Sequence, residues 1–247
     1  MKKVQFSIVA LLLLGAVACK KGYNSPSLTG NVSNAEAADM VAGSLSVNSN
    51  GMASVSDDAT ADAAVIVNLN PACGYTKTDS ISRQSIPGSP YEYSWSLKYV
   101  YTLNCNASGH ADNITGNLAF GGNYSGPNIT ATSAGTTVFT IAGLTTAAPN
   151  YVVNGEYKRT GSFQSKIDTT NKGNSNIDLV VTGLTLSKPH RIIVSGSATI
   201  SVTGDVPKKG SFSYTGTIVF NGDGTATLTL NSIKYLINLA TGVRVKV

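Results

Sequence analysis

Apolar and polar residues alternate over much of the chain from Tyr91 onward, and this pattern predicts β-strands. Between Tyr91 and Cys105 every second residue is apolar or aromatic, and the residues between them are mostly polar. Successive side chains of a strand point to opposite faces of a sheet, so the pattern predicts one long strand with a dry face and a wet face. Its 15 residues would extend ~50 Å, so we expect a bend or bulge within it.

The same two-residue period returns in eight later segments. They are Leu118–Phe120, Phe139–Ile141, Tyr151–Tyr157, Ile177–Val181, Ile192–Val202, Phe212–Phe220, Leu228–Leu230 and Ile233–Leu239. Short turn sequences such as Asn221–Gly224 separate many of them and favour antiparallel neighbours. Glycines within the strands favour strong curvature. The pattern predicts a mainly β fold, an antiparallel meander of about nine or ten strands forming a curved sheet, barrel-like or sandwich.

Before the predicted strands, apolar residues recur at the spacing of an α-helix. Ser33 or Asn34 can cap a helix that runs to Leu45. The apolar residues that share one face of this helix are Ala37, Met40, Val41 and Leu45. A second short helix is predicted over Asp57–Val65. The acidic group Asp57, Asp58 and Asp62 could supply oxygen ligands for calcium, but we expect these residues to cap the second helix.

The first 18 residues have the pattern of a signal peptide. Lys2 and Lys3 give a positive start, and Val4–Ala18 is almost wholly apolar. A helix over these 15 residues would span ~22 Å, less than the ~30 Å core of a bilayer. Small residues stand directly before Cys19, as a cleavage site requires.

The segment Leu14–Cys19 resembles a bacterial lipoprotein signal, in which the cysteine receives diacylglycerol before cleavage. Ala16 stands where leucine is usual, and cleavage by signal peptidase I is the alternative. Together with the Thr/Ser/Asn/Gly-rich β domain, the leader looks like uncharacterised lipoproteins of the Bacteroidota. The resemblance implies lipidation at Cys19. The small, polar, Pro-containing residues that follow predict a tether over residues 19–33, and the remaining length predicts one domain over residues 34–247. The resemblance also implies a membrane as partner, at the outer membrane facing the periplasm, with surface display as the alternative.

The cysteine count bears on the disulfide. The chain has three cysteines, so lipidation of Cys19 leaves Cys73 and Cys105 to pair in an oxidising compartment. Two buried free thiols are the alternative.

Composition limits the kinds of ligand and site that we expect in this protein. Removing residues 1–18 lowers the formal charge from +5 to +3 because Lys2 and Lys3 are lost. No basic stripe interleaved with aromatic residues is present, so we expect no nucleic-acid partner. His110 and His190 stand alone in turn-like segments, and no zinc-type spacing occurs. We therefore expect neither a metal site nor a cofactor.

The aromatic residues of the long strand are the best candidate for a ligand surface. They are Tyr91, Tyr93, Trp95, Tyr99 and Tyr101. Such rings could stack on a glycan or line a lipid groove, and the alternative is that they pack the core.

Three functional hypotheses follow. The first is a non-enzymatic envelope lipoprotein, structural or ligand-binding. The second is a carrier or sensor of an apolar ligand, because Leu184 and Leu186 extend the apolar pattern of Leu179–Val181 to both faces. The third and least favoured is a glycan-acting enzyme, which needs two carboxylates about 5–10 Å apart; its candidates are Glu92, Glu156 and Asp178.

We expect Cys19→Ser to abolish incorporation of a clickable fatty acid into the protein, because the serine hydroxyl cannot replace the acceptor thiol. The wild-type chain labels in the same cells. A wild-type chain that takes up no label would contradict lipidation.

Overall fold

The computed structural model describes residues 32–247, so the predicted signal peptide, most of the tether and Cys19 lie outside the described residues. Two α-helices come first, α1 (Asn34–Leu45) and α2 (Met52–Leu69), joined by a 3-10 turn at Val47–Ser49. Eleven strands follow. They are β1 (Thr76–Gln84), β2 (Glu92–Cys105), β3 (Ala111–Ser125), β4 (Ile129–Ala142), β5 (Asn150–Ser165), β6 (Lys172–Ser187), β7 (Ile193–Val206), β8 (Gly210–Phe220), β9 (Thr225–Leu230), β10 (Ile233–Asn238) and β11 (Arg244–Lys246).

The strands form one antiparallel meander in chain order, which confirms the predicted fold class. Each strand pairs with the strands before and after it, and over residues 32–247 β1 and β11 are edge strands that do not pair with each other. The expected number of strands was too low because β1 and β11 escape the alternation pattern. In β1 three of the four inward positions are charged, Lys77, Asp79 and Arg83, and only Ile81 is apolar, so no apolar period is visible in the sequence.

The sheet curves around the helices. Helix α1 contacts β4, β7, β9, β10 and β11, whereas α2 contacts β3, β4 and β5. In a flat sheet β4 and β11 would lie about 34 Å apart, several times the diameter of one helix. Both can touch α1 only if the sheet wraps around it. The concave face of the sheet and the two helices therefore share one core.

Small side chains allow α1 to be enclosed on all sides. Ala37, Ala38, Val41 and Ala42 are at most 1% exposed, so the surrounding strands can approach the helix closely. The helix begins as predicted, with a capping box in which the Ser33 hydroxyl accepts from the Glu36 N–H and the Glu36 carboxylate accepts from the Ser33 N–H.

Helix α2 is longer than predicted. It begins at Met52 after Gly51, which supplies no side-chain cap, so the sequence carries no start signal there. The expectation that the acidic residues cap this helix was wrong. Asp57, Asp58 and Asp62 lie in its interior turns and pair with Arg191, Arg83 and Lys77.

A β-bulge in β6 explains the apolar residues that appeared to occupy both faces of this strand. The pairing with both neighbours shifts by one residue near Gly183, whose φ is +62°. Leu184 and Leu186 therefore return to the concave face with Leu179, and both are fully buried. Only Val180 points outward, and it is 45% exposed.

The predicted disulfide between Cys73 and Cys105 is present, with the Cα atoms 5.7 Å apart. It ties the segment before β1 to the end of β2. The only register shift between β2 and β3 falls at Asn104/Cys105, so the irregularity expected within the long strand lies at its end.

A buried arginine anchors the helices to the sheet. Arg159 of β5 is 4% exposed, and no carboxylate pairs with it among residues 32–247. Its guanidinium donates to the Gly43 carbonyl at 2.7 Å and the Ser49 carbonyl at 3.5 Å. It also lies 4.8 Å from the centre of the Trp95 ring. The carbonyl ends of α1 and of the 3-10 turn carry partial negative charge, which balances the cation.

We expect Arg159→Met to lower the free energy of unfolding by about 1–3 kcal/mol, because methionine fills the space but leaves the buried Ser49 carbonyl without a donor and the Gly43 carbonyl with only the Ser49 hydroxyl. Chemical denaturation measures the change. Lys158→Met, on the outward side of the same strand, is the control and should change stability far less. Equal stability of Arg159→Met and the wild type would contradict this role.

Glu36 makes the docking of α1 dependent on pH. Burial alone raises the pKa of its carboxyl, but hydrogen bonds from Ser33, Asn171 and Ser165 outweigh it and hold the pKa below its ordinary value of 4.5. The folded state therefore favours the carboxylate more than the unfolded chain does. This contribution is complete above pH 4.5 and is lost as the pH falls through the lower pKa of the folded state.

Glu36→Gln should therefore flatten the acid limb of the stability profile and cost about 1 kcal/mol near neutral pH. Denaturation midpoints measured below and above pH 4.5 test this expectation. Glu92→Gln, at an exposed outward position of β2, is the control. An acid limb as steep in Glu36→Gln as in the wild type would refute it.

Candidate functional site

The structure divides the predicted aromatic surface into two parts. Trp95, Tyr99 and Tyr101 are at most 2% exposed and belong to the core. Tyr99 and Tyr101 are stacked with ring centres 5.5 Å apart, and burial raises the pKa of both phenols well above its usual value. Tyr91 and Tyr93 are half-buried. The five residues thus do not form one exposed surface, and only Tyr91 and Tyr93 are open to solvent.

A polar groove of about 690 Å³ lies at one end of the sheet, where the β1–β2, β3–β4 and β5–β6 connections meet. We call it the outer groove, because most of its lining side chains point away from the helices. These outward residues are Gln84, Glu92, Ser94, Asn123, Ser125, Thr130, Thr132, Ser162, Gln164 and Lys172. Ser85 and Pro87 of the β1–β2 connection add a wall.

Strand register places these side chains in two rows. One row runs Glu92, Ser125, Thr130, Gln164, Lys172 and crosses β2 to β6. The other runs Gln84, Ser94, Asn123, Thr132, Ser162 and crosses β1 to β5. Each row covers five strands, or about 19 Å between its outer members.

Hydroxyl and amide groups dominate both rows. The two charged residues, Glu92 and Lys172, stand at opposite ends of one row, so the middle of the groove is uncharged. Within it, the Thr132 hydroxyl donates to the Asn123 side-chain oxygen at 2.8 Å. The half-buried Tyr93 and the buried Tyr124 also line the groove, and burial raises the pKa of Tyr124 to about 12. The outward rows of the site therefore present mainly neutral donors and acceptors, whereas Tyr93 and Tyr124 occupy inward positions of β2 and β3.

A second cavity of about 530 Å³ opens at the end of the gap between the two edges of the sheet. We call it the seam cleft. Residues from both sides of the gap line it: Arg83 and Tyr93 near one edge, and Asn238 and Leu239 near the other. The floor includes Asn50 and Trp95, and Val47 and Ile192 supply an apolar rim.

Ion pairs fix the walls of the seam cleft. The Arg191 guanidinium donates to Asp57 at 2.8 Å. Asp58 pairs with Arg83 and accepts from the Tyr99 hydroxyl at 2.9 Å. Burial raises the pKa of Asp58 even though Arg83 and Tyr99 favour its ionised form. Asp223 accepts from the hydroxyl and the N–H of Thr225, which lowers its pKa; the predicted hairpin turn at Asn221–Gly224 is confirmed.

The remaining candidate residues lie outside the two cavities. His110 and His190 are exposed, and residues 32–247 contain no cluster of three or more potential metal ligands. Glu156 and Asp178 lie close together on the outward face, and burial followed by the charge of Glu156 raises the pKa of Asp178. Neither of them lines the outer groove or the seam cleft.

The chain matches no family model, no curated protein and no solved structure. No helix within residues 32–247 is both long and apolar enough to cross a membrane. The fold and its cavities are thus the basis for any functional proposal.

Sequence reasoning missed most of the lining of both cavities. The outer groove consists of ordinary wet-face residues of six strands, and only the register brings them into rows. Tyr93 was predicted as a surface residue and lines both cavities. Asn50 carried no functional signal, although the Asn50-Gly51 pair marks a turn.

Proposed function

We propose that this protein is an exported, membrane-anchored protein of the cell envelope that binds a neutral glycan, without catalysis, along the outer groove. The two rows of hydroxyl and amide side chains across six strands carry this proposal. A sugar ring presents hydroxyl groups that both donate and accept, and Ser, Thr, Asn and Gln side chains do the same.

The dimensions favour a chain of sugars over a single one. The rows extend about 19 Å, and the groove volume of about 690 Å³ falls within the range of ligand sites. Because the opposite charges of Glu92 and Lys172 lie at its ends, the groove offers no net charge to attract an acidic polymer.

Two further observations favour binding over catalysis. Glu92 is the only carboxylate among the residues that line the groove, whereas glycoside hydrolysis uses a pair. The apolar-carrier alternative loses its original support, because the bulge in β6 turns Leu184 and Leu186 into the core. The helices also fill the concave face where an apolar ligand would lie.

Anchoring at Cys19 agrees with this role. A binding domain held by a lipid and a short tether stays at the membrane surface, where envelope polymers are concentrated. The disulfide between Cys73 and Cys105 agrees with export, since such bonds persist in oxidising compartments.

Affinity electrophoresis of the full chain in gels containing a neutral glucan, mannan or xylan tests the proposal. We expect at least one of these polymers to retard the wild type. Asn123→Ala/Gln164→Ala should weaken that retardation about thirtyfold in dissociation constant, since each change removes a hydrogen bond of about 1 kcal/mol.

The matched control is Asn117→Ala/Asn176→Ala, which removes two exposed outward amides of β3 and β6 that do not line the groove. It should bind as the wild type does. Lack of retardation by all three polymers would overturn the proposal, and so would equal weakening by both double variants.

A further inference from the structure

The seam cleft contains buried polar groups that the fold leaves without partners. Asn50 is 2% exposed, and neither its side-chain nitrogen nor its side-chain oxygen has a hydrogen-bond partner among residues 32–247. The indole nitrogen of Trp95, also 2% exposed, has none either. Both residues line the same cavity. Leaving such groups unpaired costs about 1–3 kcal/mol each, a cost that a ligand could offset.

The backbone conformation at Asn50 explains why asparagine is tolerated there. It does not explain why a side-chain amide is buried at the cleft. Its φ of 52° lies in the left-handed region, which asparagine and glycine tolerate best. Glycine would meet that need without burying an amide. The Asn50 carbonyl accepts from the Tyr157 hydroxyl at 3.4 Å, so the fold already uses its backbone. The side chain remains available to another molecule.

We propose that the seam cleft binds a small neutral molecule containing an amide group and an apolar substituent, such as a short blocked peptide. An amide donates through its N–H and accepts through its carbonyl, which matches the acceptor and donor of the Asn50 side chain. Trp95 supplies a further donor to a carbonyl. Because the side-chain atoms of Asn50 and the indole nitrogen of Trp95 are all covered in this structure, both side chains must turn toward the cleft when the ligand enters.

The rest of the lining agrees with this ligand class. Val47 and Ile192 are 48% and 55% exposed at the rim, and they offer an apolar surface to a side chain of the ligand. Arg83 and Arg191 already pair with Asp58 and Asp57, and Asp223 adds one negative charge at the mouth. The cleft thus favours neutral over anionic ligands. Its volume of about 530 Å³ falls within the range of small-molecule sites.

Trp95 supplies the signal for a binding experiment because it is the only tryptophan in the chain. The probe is N-acetyl-leucyl-leucinamide, titrated into the full chain in a non-absorbing detergent. We expect a saturable change in tryptophan emission. The depsipeptide in which an ester oxygen replaces the central amide N–H should bind about tenfold more weakly, the equivalent of one lost hydrogen bond.

Asn50→Gly keeps the left-handed backbone and removes only the amide side chain, so it tests the contact without straining the turn. We expect it to weaken the peptide more than the depsipeptide change does, by well over tenfold, because both hydrogen bonds of the Asn50 side chain are lost, and to bind peptide and depsipeptide alike. Asn70→Gly is the matched control: Asn70 has a φ of 45° but does not line the cleft. It should bind the peptide as the wild type does.

A saturable signal that is lost in Asn50→Gly and retained in Asn70→Gly supports the inference. No saturable signal with the wild type would overturn it. Equal affinity of Asn50→Gly and the wild type would also overturn it. The outer-groove variant Asn123→Ala/Gln164→Ala should bind the peptide normally, so the result is independent of the proposed glycan binding.

Discussion

Arginine and lysine side chains of the sheet bind acidic side chains and backbone carbonyls of the two helices, and the rest of the structure depends on this interaction. Helix α1 is surrounded by strands, so water cannot satisfy the backbone carbonyls near its end. Arg159 satisfies two carbonyls from this region while stacking on Trp95. A single buried cation thereby links the end of α1, the end of the 3-10 turn and β5.

The same interaction recurs at both edges of the sheet. Lys77 and Arg83 of β1 reach inward to Asp62 and Asp58 of α2. Arg244 of β11 reaches inward to Asp39 of α1, at 2.8 Å. Inward-pointing charges on edge strands oppose pairing with further strands. Each edge is therefore tied to a helix and not to the other edge, which leaves the gap from which the seam cleft opens.

This arrangement restricts where a ligand could bind. The concave face is occupied by helices and by aromatic side chains, so the space that a curved sheet could give to an apolar ligand is filled. What remains are the wet face and the gap. The outer groove uses the hydroxyl and amide groups that a wet face normally exposes, whereas the seam cleft combines paired charges with an unpaired amide. The two proposed sites therefore suit ligands of different chemistry.

The sequence by itself determined the class of fold, the first helix and the disulfide pair. Alternation is a local property of the chain, and in β2 and β8 it marks the buried face correctly. It failed at Gly183, where the bulge shifts the two-residue period of β6 by one residue. It also failed at Arg83, where an inward position holds a charged residue because it pairs with a carboxylate. It also suggested that Trp95, Tyr99 and Tyr101 form a ligand surface. The apolar face of a strand can equally pack against a helix, and in this fold these three side chains do so in the core.

Only the tertiary structure decided how the elements come together. The rows of the outer groove come from hydrogen-bonded register across six strands, and no local pattern records which serine lies beside which glutamine. The seam cleft unites Asn50, Trp95 and Asp223, which are far apart in sequence. Side-chain period follows from the geometry of one strand, whereas register, curvature and the open seam follow from contacts between distant residues. For that reason the sequence predicts the strands, but only the folded structure defines the outer groove and the seam cleft.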